Sequence, residues 1–307
     1  MRLSHFLCVT LVVGIFCSTA VCQELTVTRE SRNEITIYLN GKETAVYHSG
    51  PALDKGYFHP LRTPDGRTIT YDAPADHLHH RALCVGWPDV SNTDFWAEVN
   101  SPAGRRGRMV PTRLESESIP GGGIRILEEN VWVREDGSVL VRDRRTWTFL
   151  PPEGNLQLVD LDLAIEAVAL EVVFGSDPEK PREYHGLTLR AGPFHSERYF
   201  NSNGNEGKEG CKGDPAKWCA ISGTQSGRPV LAAILDHPQN DSHPTKYYIQ
   251  DRGMQFISSS PNYGKPKVLK KGDTWHLRYR VVAAGQPAEG ETWDLDALWE
   301  DYVEQSK

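Results

Sequence analysis

The chemistry of this chain concentrates in Asp76-His77-Leu78-His79-His80-Arg81, where three imidazoles, a carboxylate and a guanidinium fall within six residues. Imidazole gains and loses its proton near neutral pH, so such a run suits proton transfer or the gripping of a polar ligand. Read as extended chain, the segment places His77, His79 and Arg81 on one face and His80 on the other, beside Ala82 and Cys84. A histidine pair two residues apart also suits a divalent metal, although nothing in the sequence requires a cofactor. The bland alternative is a self-satisfied hydrogen-bond network that pins a loop to a sheet edge. Phe58-His59-Pro60-Leu61 lies upstream, and Trp87 and Asp94-Phe95-Trp96 lie downstream. Aromatic rings beside carboxylates and imidazoles are how proteins hold sugars, the ring covering the apolar sugar face while polar groups take the hydroxyls.

Two later groups add to the list. Asp236-His237-Pro238-Gln239-Asn240 follows the apolar run Val230 to Leu235, and Glu183-Tyr184-His185-Gly186 leads to Arg190. Polar residues at the end of a buried strand often form sites, and they are also ordinary turn formers. The functional reading gives proton transfer to His79 or His80, oriented by Asp76 or Asp236. Arg81 neutralises developing charge and Trp87 or Trp96 stacks the sugar. His59, His77, Asp94, His185, Arg190, His237 and Asn240 complete the substrate contacts. It requires His59, His79, His80, Arg81 and Asp236 to converge on one concave pocket.

The elements that must position these residues are strands. Glu34 to Leu39 and Lys42 to His48 flank Asn40-Gly41, a hairpin turn. Ile124 to Arg134 and Ser138 to Leu150 flank Asp136-Gly137 in the same way. Leu156 to Phe174 alternates, with Val159, Leu161, Leu163 and Ile165 on one side and Asp160, Asp162 and Glu166 on the other. Shorter strands fit Arg81 to Trp87, Gly186 to Arg190, Val230 to Leu235, Tyr247 to Gln250, Gly253 to Ser258 and Trp275 to Val282. Consecutive hairpins predict an all-β fold, a large antiparallel β-sandwich. Only the tail predicts a helix, over 294–304: Asp294 caps it, and Leu295, Leu298, Trp299 and Tyr302 share one face. Asn201 to Asp214 reads as a Gly- and Asn-rich loop.

Composition bounds the partners. The chain has 307 residues and a formal net charge of −7, which argues against nucleic acid and anionic membrane. Arg2, the apolar run Leu7 to Phe16 and the small residues Ser18, Thr19 and Ala20 form a secretory signal peptide, assigned to residues 1–22. A periplasmic or secreted protein is expected, with 23–307 as one domain and no membrane span. Cys211 and Cys219 flank a polar loop and are expected to form a disulfide in an oxidising compartment, while Cys84 sits in an apolar run as a free thiol. No G-x-S-x-G elbow, H-E-x-x-H helix or Walker loop is present, so serine-hydrolase and nucleotide-dependent chemistry have no support.

Phe58-His59-Pro60-Leu61, Thr63-Pro64-Asp65-Gly66, the Asp76 to Arg81 run, Gly86, Asp89-Val90 and Asp94-Phe95-Trp96 together resemble the PmoA-like family of exported bacterial proteins. His185-Gly186-Leu187 with Arg190, and Asp236-His237-Pro238 with Asn240, His243-Pro244-Thr245 and Gly253, are similar to its later motifs. The resemblance covers most of the chain after residue 22, in the family's order. By analogy it implies a galactose-mutarotase-like supersandwich, a fold of sugar epimerases, lyases and glycosidase accessory domains. The chain departs from the pattern at Leu78, where the family has proline, at Ala82, where it has glycine, and at Tyr247-Tyr248-Ile249-Gln250, where it has Trp-His-x-Arg. Two functions follow: an exported enzyme using His/Asp acid-base chemistry on a sugar or oligosaccharide, as lyase, epimerase or hydrolase, or a non-catalytic carbohydrate-binding or scaffold protein on the same fold. The density of ionisable groups favours the first, and Tyr248 and Gln250 favour the second.

Overall fold

Alternation along the chain decides which side of each strand is dry. In the strand 156–167, Val159, Leu161, Leu163 and Ile165 are at most 1% exposed, while Asp160 and Asp162 face away. That strand is β9 (Leu156–Ala167); before it come β1 (Leu25–Ser31), β2 (Glu34–Leu39), β3 (Lys42–His48), β4 (Tyr57–Leu61), β5 (Leu83–Gly86), β6 (Gly107–Ile119), β7 (Gly123–Arg134) and β8 (Val139–Phe149). There follow β10 (Glu171–Phe174), β11 (Gly186–Arg190), β12 (His195–Asn201), α1 (Gly207–Cys211), β13 (Trp218–Gln225), β14 (Arg228–Asp236), β15 (Lys246–Gln250), β16 (Phe256–Ser260), β17 (Lys267–Lys270), β18 (Thr274–Ala284) and α2 (Leu295–Gln305). The computed structural model describes residues 23–175, 177, 182–251 and 253–305. The signal peptide assigned to 1–22 lies outside the described residues.

Two eight-stranded antiparallel sheets stack face to face. The first has the order β1-β2-β3-β4-β5-β11-β16-β15, and the second β12-β13-β14-β18-β9-β8-β7-β6; β10 and β17 pair separately. The expected all-β sandwich with a C-terminal helix is what the chain forms. Between the sheets lies one continuous apolar core, in which Tyr47, Phe58 and Trp147 meet Trp87, Trp132, Phe174 and Trp275. On the far side of the second sheet α2 lays Leu295, Leu298, Trp299 and Tyr302 over Leu231, Ala233, Leu235 and Val282. Asp294 caps that helix, its Oδ1 accepting from Ala297 N at 2.9 Å. Among the described residues no helix is long and apolar enough to cross a membrane.

Three expectations change. The long strand 156–174 breaks into β9 and β10, because the chain leaves the large sheet after Ala167 and β10 pairs with β17 instead. The segment around the histidines is a loop, not a strand, and β5 starts only at Leu83. The Cys211–Cys219 disulfide is absent: Cys84, Cys211 and Cys219 are all free, buried thiols. The loop between Asn201 and Asp214 is more ordered than its composition suggests. Asp214 Oδ2 accepts from Asn201, Asn203 and Asn205 at 2.8 to 2.9 Å, Gly207–Cys211 turns helical, and Cys211 Sγ bonds the Asn205 carbonyl at 3.2 Å. Hydrogen bonds already tie the loop without a covalent link.

Candidate functional site

A cavity of about 320 Å³ opens on the outer face of the first sheet, the face turned away from the core. Its floor comes from strands. Tyr248 and Gln250 of β15 and Phe256 of β16 line it, while their neighbours Tyr247, Ile249 and Ile257 point into the core. Loops supply the walls: His77, His79 and His80 before β5, Trp96 after it, Tyr184 before β11, and Met254 between β15 and β16.

The histidine loop is built from two successive turns. His77 N bonds Pro74 O at 2.8 Å, and His80 N bonds His77 O at 2.9 Å. Turns of three residues bring His80 back over His77, so the alternation expected of extended chain does not hold. The rings form a triangle instead, with centroids 4.7 Å apart for His77–His80 and His79–His80 and 5.8 Å for His77–His79. His80 meets Trp96 edge-on at 5.8 Å, and Trp96 meets Tyr184 and Phe256 at 5.5 and 5.7 Å.

A buried ionic cluster holds this loop. Lys55, 1% exposed, donates to the carbonyls of His79 at 3.2 Å and Trp96 at 2.7 Å and to Glu98 Oε1 at 2.7 Å. Glu98, at a left-handed φ of 53°, takes Arg81 through Nε and Nη2, each at 3.0 Å. Arg81 also reaches Asp72 at 3.3 Å and lies over the Tyr57 ring. Burial alone would raise the Glu98 carboxyl, but Lys55 and Arg81 hold it below its ordinary range. Arg81, expected to neutralise charge on a substrate, is committed to this scaffold and does not line the cavity.

His79 and His80 are kept neutral. Burial, then the positive fields of His79, His77, Arg190 and Lys55, lowers His80 to about 3. Burial and Lys55 lower His79 as well. His79 Nδ1 lies 3.0 Å from the Asn100 amide nitrogen, so the proton of the neutral ring sits on Nε2. His80 Nδ1 is buried without a partner among the described residues. The site therefore offers one imidazole fixed as donor beside another free to accept.

The remaining candidates divide. Asp76 is a fully exposed carboxylate beside His77, its Oδ2 3.0 Å from Nδ1, and does not line the cavity. Asp94 is fully buried; its Oδ1 accepts from Trp96 N and Ala97 N at 2.8 and 2.9 Å, so it sets the Trp96 loop and touches no ligand space. His59 lies farther along the first sheet, with Nδ1 3.1 Å from Thr70 Oγ1. Trp87 belongs to the core and gives its Nε1 proton to Asn262. Trp87 and His185, stacked 6.2 Å apart, border a separate space of about 160 Å³ with Glu183 and Arg182. Burial lowers His185 to about 3. Arg190, 2% exposed, does not line the imidazole cavity and stands opposite Phe256 in the β11–β16 register.

The Asp236 group does not join the histidines. Asp236, fully buried, accepts from His243, Asn240 and the Thr245 amide at 2.7 to 2.9 Å. Asn240 ties back to Arg278, His237 packs its ring on Tyr302, and Trp299 Nε1 donates to the Asp236 carbonyl. Asp236 sits on the inner side of β14, level with Tyr247, whose hydroxyl bonds Ile234 O. Tyr248, the next residue, faces the cavity, so the strand itself stands between Asp236 and the imidazoles. The expected single pocket for both groups is thus two places: an open cavity and a knot that seats α2 and the 237–245 turn.

Sequence reading missed Phe256, Met254, Lys55 and Glu98. Nothing local marks the last two, whose partners stand 17 to 43 residues away. Among the described residues no group of three His, Cys, Asp or Glu side chains is arranged to hold a metal ion. The triangle's rings meet at 44° to 89°.

A family model described as "Family of unknown function (DUF6807)" matches residues 34–300. No curated protein matches the chain. One solved structure, titled "Crystal Structure Analysis of HI1317", is similar at 8% identity and a TM-score of 0.31, over 84% of this chain and 99% of that one. A likeness that loose carries neither fold nor function.

Proposed function

We propose, from the premise that the chain belongs to the DUF6807 family of unknown function, that it is an exported carbohydrate-active protein whose working site is the imidazole cavity. The resemblance of its histidine run to the PmoA-like family supports the same reading. The observation that carries it is the combination in one 320 Å³ space of three imidazoles, those of His79 and His80 held neutral, with Trp96, Tyr184, Tyr248 and Phe256. Aromatic walls suit the apolar faces of a sugar ring, and imidazoles and Gln250 suit its hydroxyls. His79 serves as hydrogen donor and His80 as acceptor, the two halves of acid-base chemistry on a lyase, epimerase or hydrolase substrate. Arg81, Asp94 and Lys55 act as positioning residues.

A second reading, binding without catalysis, also has a specific observation behind it. Tyr248 and Gln250, which stand where the resembling family has His and Arg, both line the cavity. An oligosaccharide screen tests the two together, reading both binding and product, with and without added divalent metal. Product formation lost in His79→Ala and His80→Ala at an unchanged thermal midpoint supports the enzyme. Binding without product supports the second reading. If no saccharide binds, both fail.

A further inference from the structure

Arg190 is a buried charge near the cavity that forms no ion pair among the described residues. Four arginines among the described residues are buried: Arg67, Arg145, Arg190 and Arg280. Arg67 has Asp65, Arg145 has Asp143 and Glu128, and Arg280 has Asp160. Arg190 forms no ion pair among the described residues; the exposed Asp76 acts on it only through space, and the Tyr71 ring lies 5.8 Å from its guanidinium. It makes a single hydrogen bond, Nη2 to Gly253 O at 3.2 Å, and its Nε and Nη1 are buried without a partner. Burying a guanidinium in that state is costly, so proteins ordinarily pair it. Of the other ionic groups nearby, Lys55 and Arg81 face Glu98 and Asp72, and Asp76 is an exposed carboxylate beside His77. Among the described residues no carboxylate lines the cavity.

Arg190 also belongs to the same patch. It stands opposite Phe256 in the β11–β16 register, and its hydrogen-bond acceptor, Gly253, adjoins Met254; both Phe256 and Met254 are lining residues. Its field reaches His80, which is 9% exposed and has an unpartnered Nδ1. We propose that the cavity takes the carboxylate of an acidic sugar, a uronate, with the Nε2 proton of His79 as its hydrogen-bond donor and Arg190 as the positive charge that holds it there. This rests on the carbohydrate reading above. A single guanidinium balances the one charge of a carboxylate but leaves half of a doubly charged phosphate uncompensated. Lys212, whose Nζ lies 4.4 Å from the Tyr248 ring, adds attraction beside the floor.

The test is calorimetric or saturation-transfer binding of glucuronate, galacturonate and mannuronate, each against its neutral hexose, with glucose 6-phosphate as the third arm. A uronate should bind at least about tenfold tighter than its neutral counterpart, and the margin should shrink with added salt. Arg190→Met should abolish the margin and Arg190→Lys should keep part of it. Because the charge forms no ion pair, Arg190→Met should leave the thermal midpoint unchanged or raise it; a large fall would mark Arg190 as structural and overturn the proposal. Equal binding of uronate and neutral hexose overturns it while leaving the sugar cavity standing. Preference for the phosphate overturns the carboxylate assignment. No binding in any arm overturns this proposal and the carbohydrate reading together.

Discussion

A neutral imidazole buried against positive neighbours has a signature that acid titration reads directly. His80 is lowered to about 3 in the folded protein, from an ordinary value of 6.5. The unfolded chain then binds the extra proton first, so stability is present above about 6.5 and is lost as the pH falls from there toward 3. The slope is about 1.4 kcal/mol per pH unit for one such proton. His185 contributes in the same window and the same direction. His80→Gln should therefore flatten the acid side of the unfolding free-energy profile by one proton's worth; an unchanged slope between pH 6 and 4 would show that His80 is not held neutral. Cysteine offers a second residue-level check. With all three thiols free and buried, unreduced protein beginning at residue 23 should give no reaction with a thiol reagent when native and three equivalents when unfolded. A count of one would restore the bridge. The histidine run was visible in sequence because its residues are contiguous. Arg81 was misjudged because its partner Glu98 lies 17 residues on, and only the fold brings the two together.

At the scale of elements, α2 is the piece whose removal tests the packing. It covers Leu231, Leu235 and Val282, and Trp299 reaches the Asp236 carbonyl. Asp294→Ala should cost about 1 kcal/mol through the lost cap. Ending the chain at Trp293 should cost roughly 3–6 kcal/mol, from Leu295 and Tyr302 alone, and leave an apolar sheet face exposed. Thermal unfolding of both variants measures this, and equal midpoints would mean that α2 is not docked in solution. The hairpins at Asn40-Gly41 and Asp136-Gly137 were readable because turn chemistry and alternation agree there. β6 was not, since Met109 to Ser118 carries Pro111, a register shift beside it and mostly polar side chains. The histidine loop was read as extended because period two places residues without knowing that Pro74 accepts a turn hydrogen bond.

For the whole molecule, the aromatic cluster joins the two sheets, so one apolar volume ties distant segments together. Tryptophan fluorescence, which reports Trp87, Trp132, Trp147 and Trp275, should therefore unfold with the same midpoint as the far-ultraviolet β signal. Separate midpoints would divide the sandwich into independent units. Pairings such as β5 with β11 and β14 with β18 span long stretches of chain, and folding should be slow by the standard of helical proteins of this size. The cavity, finally, lies on the solvent side of a sheet whose inner side is fully packed. In β15, Tyr248 and Gln250 belong to the ligand space and Tyr247 and Ile249 to the core, and at the start of β16 Phe256 and Ile257 divide in the same way. Such a partition lets the binding face diversify, position by position, while the fold it stands on stays as it is. Exchanging Tyr248, Gln250 or Phe256 changes what the surface selects and leaves the strands that present it with the same interior to bury.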